Sequence, residues 1–250
     1  MDNKMKIVAV VPARYGSTRL PGKPLIDICG KPMLWWTYHQ AQKVEEFAGV
    51  YVATDDERVA DMCRQYDMKV FMTDKHERLM GRIWEVSNLV EADYYVCICG
   101  DEPLIEPGSI RAILPDVLIK DEPIMFALMK PIHDPVELMD TANQKVVVNS
   151  RNEGIMISRM PIPCPYKTIL FEYKKTVGVQ CYNKECLDFF VSTPESNLER
   201  IEDIAPLRLI ENGVKIKYKC VYEESLSVDT VRDVEKVRKM MKEKLAKLKV

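Results

Sequence analysis

Across 250 residues, apolar side chains make up 47% and charged ones 30%, an ordinary water-soluble globular mix that can bury a sizeable core without staples. The formal net charge of −2 excludes a strongly basic nucleic-acid surface, although a local basic pocket for a small anion remains compatible with it. Eight cysteines stand singly at 29, 63, 97, 99, 164, 181, 186 and 220 without a CxxC pair, and histidine occurs only at 39, 76 and 133, so no zinc site is expected. The six-residue apolar run near the start is too short for a signal peptide or a membrane span. The chain therefore reads as cytoplasmic, with reduced thiols and no membrane or nucleic-acid partner.

In chain order, KIVAVV (6–11) is a continuous apolar run, as in a strand covered on both faces. A Gly- and Pro-punctuated loop leads to a helical stretch over 32–45, then a strand at 50–54 and a helix whose start carries acids that suit the helix dipole. Strands are predicted at 69–73 and 93–99 around a helix at 81–90, followed by a helix over 107–118 and a strand at 123–130. Beyond 140 the rhythm changes to short runs separated by turn residues, which predicts hairpins or an added sheet. Helices follow over 183–192 and 199–211, then a strand at 214–221. A last helix from Thr230 carries the apolar stripe Val231, Val234, Val237, Met241, Leu245 and Leu248. Proline lacks the ladder donor, so the Met160–Tyr166 stretch with its three prolines is predicted to run as an extended arm or a subunit contact, outside any central strand.

This alternation predicts an α/β fold: a Rossmann-like, mainly parallel sheet with helices on both faces, plus a small β-rich insertion. Residues 1–250 are expected to form one domain, with 140–182 as a sugar-binding and dimerisation subregion. Ligands bind at the carboxyl ends of parallel strands, which directs attention to the loops after the first and fourth strands.

The first of these loops runs Val11-Pro12-Ala13-Arg14-Tyr15-Gly16-Ser17-Thr18-Arg19-Leu20-Pro21-Gly22-Lys23. Three cations lie among small residues that let backbone N–H groups approach a ligand, the combination a triphosphate needs. The alternative is a solvent-exposed basic loop. The Walker pattern GxxxxGK[ST] is absent, which disfavours a P-loop ATPase. The second loop, CICGDEPLI, puts Asp101 directly after an apolar strand, where a carboxylate facing phosphates is a natural Mg²⁺ ligand. Asp229, in SVDT before the last helix, reads by itself as a helix-start residue satisfying backbone N–H groups.

PARYGSTRLPGKPL with GKPM at 30–33 resembles the opening of the 3-deoxy-manno-octulosonate (Kdo) cytidylyltransferases. The likeness continues through ATDDER (53–58), GDEPLI (100–105), KVV (145–147), SRMPIP (158–163), LERIE (198–202) and VDT (228–230). It implies transfer of CMP from CTP to a 3-deoxy-2-ulosonic acid such as Kdo, with pyrophosphate released, in lipopolysaccharide or capsule biosynthesis. Mg²⁺ would be the cofactor and a homodimer the assembly. By the same resemblance Ala13, Arg14, Ser17, Arg19, Lys23 and Arg82 would hold the nucleotide, with Arg14, Lys23 and Asp101 catalytic, and Asp101 and Asp229 would ligate the metal.

Departures from the family pattern cluster on the acceptor side. Cys99 stands where the family has Gln, Arg78-Leu79-Met80 where it has SGT, Thr176 and Gln180 where it has His and Tyr, and Ala205-Pro206 where it has Glu-Gln. With Arg159, which matches, the expected acceptor contacts are Arg78, Cys99, Arg159, Thr176 and Gln180. This leaves two alternatives: a cytidylyltransferase acting on another small anion, such as a phosphonate or a phosphorylated metabolite, or a catalytically silent nucleotide-binding homologue. Trp35 and Trp36 read as packing residues. His76 and His133 lack recognisable catalytic partners, and Cys99 does not read as a nucleophile.

Overall fold

The computed structural model describes residues 5–247 apart from Thr18, Ile169 and Glu224. The chain divides into two compact units: Met1–Arg111 with Glu223–Val250, and Ala112–Tyr222.

The first unit begins with β1 (Ile7–Pro12), every residue of which is buried. A short 3₁₀ turn at Lys23–Leu25 precedes a two-residue antiparallel ribbon, β2 (Asp27–Ile28) and β3 (Lys31–Pro32). Then come α1 (Met33–Gln42), β4 (Phe47–Thr54), α2 (Glu57–Gln65), β5 (Val70–Met72), α3 (Leu79–Ser87), β6 (Tyr94–Ile98) and α4 (Pro107–Ala112). The strands lie in the order β6-β1-β4-β5, and each adjacent pair is parallel. β1 and β6 are apolar throughout because they are buried throughout, as expected for parallel strands in the middle of a sheet. At the start of α2, Asp56 accepts from the Arg58 amide at 3.0 Å, satisfying one of the donors a helix start leaves over. The predicted helix over 107–118 is shorter than expected. It ends at Ala112, three residues before Pro115, which disfavours helical backbone at the residue before it.

The second unit contains β7 (Ile124–Pro131), α5 (Pro135–Met139), β8 (Lys145–Val148), β9 (Gly154–Ser158), β10 (Lys174–Asn183), α6 (Lys184–Ser192), α7 (Asn197–Glu202), α8 (Pro206–Glu211) and β11 (Lys215–Cys220). β7 is central here, antiparallel to β10 and parallel to β11. β8 and β9 form the antiparallel hairpin foreseen beyond residue 140, joined to β10 through Lys145 and Lys175. The proline-rich stretch after β9 enters no strand. The helix predicted over 199–211 is two helices. At the start of α7 the Ser196 amide donates to the Glu199 carboxylate at 3.3 Å; the helix ends where Asp203 turns left-handed (φ 53°), and Pro206 starts α8. Inside this bend Arg208 grips Glu199 with two hydrogen bonds of 2.6 and 2.8 Å and donates to the carbonyls of Phe190 and Thr193, both at 2.9 Å. The Lys145 ammonium is fully buried and donates to the carbonyls of Asp140, Asn143 and Arg159.

The chain then returns to the first unit as α9 (Val231–Lys247). Val234, Val237 and Met241 are buried against Leu20, Ile28, Met33, Leu104 and Val228, with Leu245 packed beside them. Val231 departs from the predicted stripe and is 65% exposed. A helical side chain leans toward the N-terminus, so one on the first residue projects past the packed face. Leu248 lies outside the described residues.

Removing one partner of the enclosed Glu199–Arg208 pair should be costly, because the other charge is left buried and uncompensated. Glu199→Ala is expected to lower unfolding free energy by about 3–5 kcal/mol, measured by urea denaturation.

Candidate active site

The loop after β1 is held in shape by its own backbone and by one aromatic ring. The Tyr15 carbonyl accepts from the amides of Ser17 (2.9 Å) and Gly22 (3.0 Å). Gly22 has φ 69°, a left-handed backbone that strains any other residue, and a Cβ there would crowd the Tyr15 ring at 3.2 Å. On the other side of the loop the Arg58 guanidinium, paired with Asp56, lies 3.4 Å from the centroid of the same ring.

The turn that follows aims Lys23 at the loop after β6. Its Nζ donates to Asp101 Oδ2 at 2.5 Å, to the Val228 carbonyl at 2.9 Å and to Asp229 Oδ1 at 3.2 Å. Arg19 pairs with the same Asp229 oxygen at 3.0 Å. The Val228 amide donates to the Asp101 carbonyl at 2.9 Å, which ties the segment before α9 to the loop after β6 and sets the two aspartates side by side. Burial works to lower the pKa of the Lys23 ammonium, but Asp101 and Asp229 outweigh it and hold it above its ordinary 10.5. A raised lysine pKa stabilises the fold at all lower pH and is lost only as pH rises through that value. The pair is therefore intact across the neutral range.

These residues edge a cleft of ≈ 360 Å³ whose lining comes from the first unit alone. Ala13, Arg14, Ser17, Arg19, Lys23, Arg78, Arg82, Cys99, Asp101 and Asp229 all face it, so the nucleotide and metal residues expected from sequence meet in one place with two of the acceptor residues. Arg159, Thr176 and Gln180 belong to the second unit. There the Arg159 guanidinium donates to the carbonyls of Glu202, Thr141 and Asp203 at 2.7–3.1 Å. The Thr176 amide donates to the Gln144 carbonyl, and Gln180 accepts from the Tyr182 hydroxyl.

Sequence reasoning missed several parts of the cleft. His76 lines it and is paired with Glu85 at 2.6 Å, and Glu77 stands beside it. Arg82 is buried and joined to Asp55 and Thr73. The signal for Asp55 was available in the acid-rich segment at the end of β4. Glu85 lies nine residues from His76, across the start of α3, and no local pattern announces it. Gly100 lines the cleft, and a Cβ there would meet the Pro12 carbonyl oxygen at 2.9 Å and Leu34 at 3.1 Å, so its glycine also permits close packing of the loop after β6 against β1. The Cys99 thiol is pushed well above its usual pKa by a hydrogen bond with Cys97, by burial and by the charges of Asp101 and Glu102, so it stays protonated. Trp36 donates to the Ile28 carbonyl at 2.7 Å and Trp35 stacks on His39, as packing residues do.

A cation already sits between Asp101 and Asp229, namely the Lys23 ammonium, and both acids offer the hard oxygen donors Mg²⁺ prefers. Among the described residues no cluster of three or more His, Cys, Asp or Glu side chains could enclose a metal. Two carboxylates completed by substrate phosphates and water is the usual Mg²⁺ arrangement, so the residues present fit it.

Residues 8–216 match the family model described as cytidylyltransferase. The chain is 40% identical over 243 residues to the 3-deoxy-manno-octulosonate cytidylyltransferase of Escherichia coli, covering 96% of this chain and 98% of that one. It is 38% identical over 240 residues to the enzyme of the same name from Solibacter usitatus, covering 95% of each. Among solved structures it is similar to CMP:2-keto-3-deoxy-manno-octonic acid synthetase complexed with CTP, with a TM-score of 0.89, 39% identity and coverage of 96% of this chain and 99% of that one. The chain belongs to the 3-deoxy-manno-octulosonate cytidylyltransferase family. It is accordingly a nucleotidyltransferase, and among its described residues no helix is long and apolar enough to cross a membrane.

Two outcomes follow from this geometry. Gly100→Ala should cost about 1–3 kcal/mol in urea denaturation, because backbone must move to admit the methyl group. Iodoacetamide near neutral pH should label exposed Cys164 well before Cys99, with Cys99 labelling rising as the pH is raised, followed by peptide mass mapping.

Proposed function

We infer that this chain transfers CMP from CTP to 3-deoxy-manno-octulosonate, releasing pyrophosphate. The observation that carries the reading is the convergence of Lys23, Asp101 and Asp229 at one edge of a cleft that Arg14 and Arg19 also line. An acceptor hydroxyl oxygen attacks the α-phosphorus of CTP, and the bond from that phosphorus to the bridging oxygen of pyrophosphate breaks. The hydroxyl proton passes to solvent.

Arg14, Arg19 and Lys23 bind the triphosphate and stabilise the charge that builds on the leaving oxygens. Ser17 and the backbone at Ala13 bring hydrogen bonds close to the nucleotide, and Arg82 holds it from the cleft wall. Asp101 and Asp229 would hold Mg²⁺, which when bound neutralises charge on the phosphate oxygens. No covalent enzyme intermediate is needed, since positioning and electrostatics supply the acceleration, as in other phosphoryl transfers.

Arg78 and Cys99 are proposed as acceptor-side residues in the cleft; for Thr176 and Gln180 the role is proposed on the family resemblance alone. For Arg159 the same role carries a condition: its donors are engaged with carbonyls, so it meets an acceptor carboxylate only by giving up one of those bonds. Homodimer assembly is proposed as well, supported by the exposed apolar side chains Ile155, Met160, Tyr166 and Leu170 in the second unit.

The test is pyrophosphate release from CTP and Mg²⁺ with 3-deoxy-manno-octulosonate, beside its amino analogue, sialic acid, a phosphonate and a sugar phosphate. Release is expected with the ulosonic acid. Asp101→Ala and Lys23→Met should each reduce kcat by at least about a hundredfold while the fold persists by circular dichroism. Near-normal turnover in either variant, or preference for UTP over CTP, removes the assignment.

A further inference from the structure

Arg82 differs from the other cations of the cleft. Arg14 is exposed, and Arg19 keeps 56% of its side-chain surface, whereas Arg82 is 4% exposed and still reaches the cleft lining. Two contacts fix its plane: Nη1 donates to the Thr73 hydroxyl at 2.7 Å, and Nη2 pairs with Asp55 Oδ1 at 3.0 Å. A guanidinium carries five N–H donors in a rigid fork, so two fixed donors set the direction of the rest.

The partners come from two neighbouring strand ends. Asp55 follows β4 and Thr73 follows β5, at the carboxyl edge where parallel sheets place their ligands. The two ends are bound together as well, since the Thr73 amide donates to the Thr54 carbonyl at 2.8 Å; the end of β4 is further held by the Asp56 amide donating to the Thr54 hydroxyl at 3.3 Å. Arg82 itself stands on α3 between buried Met80 and Ile83 and cannot swing away without disturbing the core. A carboxylate beside a buried arginine cancels most of its long-range pull on phosphate and leaves a directed hydrogen-bond donor.

We propose that Asp55 and Thr73 are positioning residues for CTP, acting through Arg82: they hold its guanidinium at the angle from which it meets the nucleotide. This rests on the function proposed above. Because the effect is exerted on nucleotide binding and not on charge at the reacting phosphorus, it falls on affinity for CTP and spares turnover at saturation.

The experiment compares the full-length chain with Asp55→Asn, Asp55→Glu and Thr73→Val. CTP binding is measured by calorimetry without acceptor, kcat and KM by pyrophosphate release, and folding by thermal melting. Asp55→Asn is expected to raise both Kd and KM for CTP roughly tenfold or more, with kcat changed less than about threefold. Thr73→Val, which removes no charge, should move the same quantities in the same direction by a smaller factor, and Asp55→Glu should recover part of the loss. A structural role alone would lower the melting temperature and leave Kd and KM of the folded protein unchanged, which overturns the inference; so does a fall in kcat at unchanged KM. Should Asp55→Asn fail to fold, Thr73→Val decides by the same criteria. A wild-type chain that binds no CTP sinks the proposed function itself, whereas normal CTP turnover with unaltered affinity in the variants sinks only this inference.

Discussion

One ammonium group shared between two carboxylates organises this cleft. Burial works against the charge on Lys23, Asp101 and Asp229 outweigh that burial, and the ammonium in turn stands between the two aspartates. Arg19 adds a second positive charge on Asp229, so two acids and two bases nearly cancel at the mouth of the loop. The backbone bond from Val228 to Asp101 then keeps the acids together independently of the lysine.

The balance has a chemical meaning for a family whose substrate is a nucleoside triphosphate. Cations alone would draw in any anion, and acids alone would repel the phosphates. A cluster close to neutral presents neither sign in excess, because its cations are engaged by the acids. The deeper wall of the cleft follows a different rule, because Arg82 is already neutralised by Asp55 and held by Thr73.

The sheet and the cationic loop were legible in sequence because their signals are local. IVAVVP is apolar over six residues, and PARYGSTRLPGK carries its cations and glycines within a dozen. Asp229 was not legible from its own surroundings, where it looks like a helix cap; only the family resemblance pairs it with a residue 128 positions earlier. The 199–211 segment read as one helix because its apolar spacing continues through the break, while the cause of the break is a left-handed Asp203 and a buried Glu199–Arg208 pair that periodicity does not register. At Gly100 the sequence hides a packing constraint: the atom a side chain there would strike is a backbone oxygen of the next strand. His76 and Glu85 escaped because their partnership depends on how α3 begins, a tertiary fact.

The first unit is discontinuous, with its last segment returning after more than a hundred residues spent on the second. A growing polypeptide therefore possesses the cationic loop and Asp101 long before it acquires Asp229 or the apolar face of α9 that covers Leu20, Met33 and Leu104. Until then half the carboxylate pair is missing and that apolar patch stands open to water. Synthesis must run nearly to the end before the cleft is complete, and a ribosome stalled anywhere in the second unit leaves a product without the second acid of the cleft.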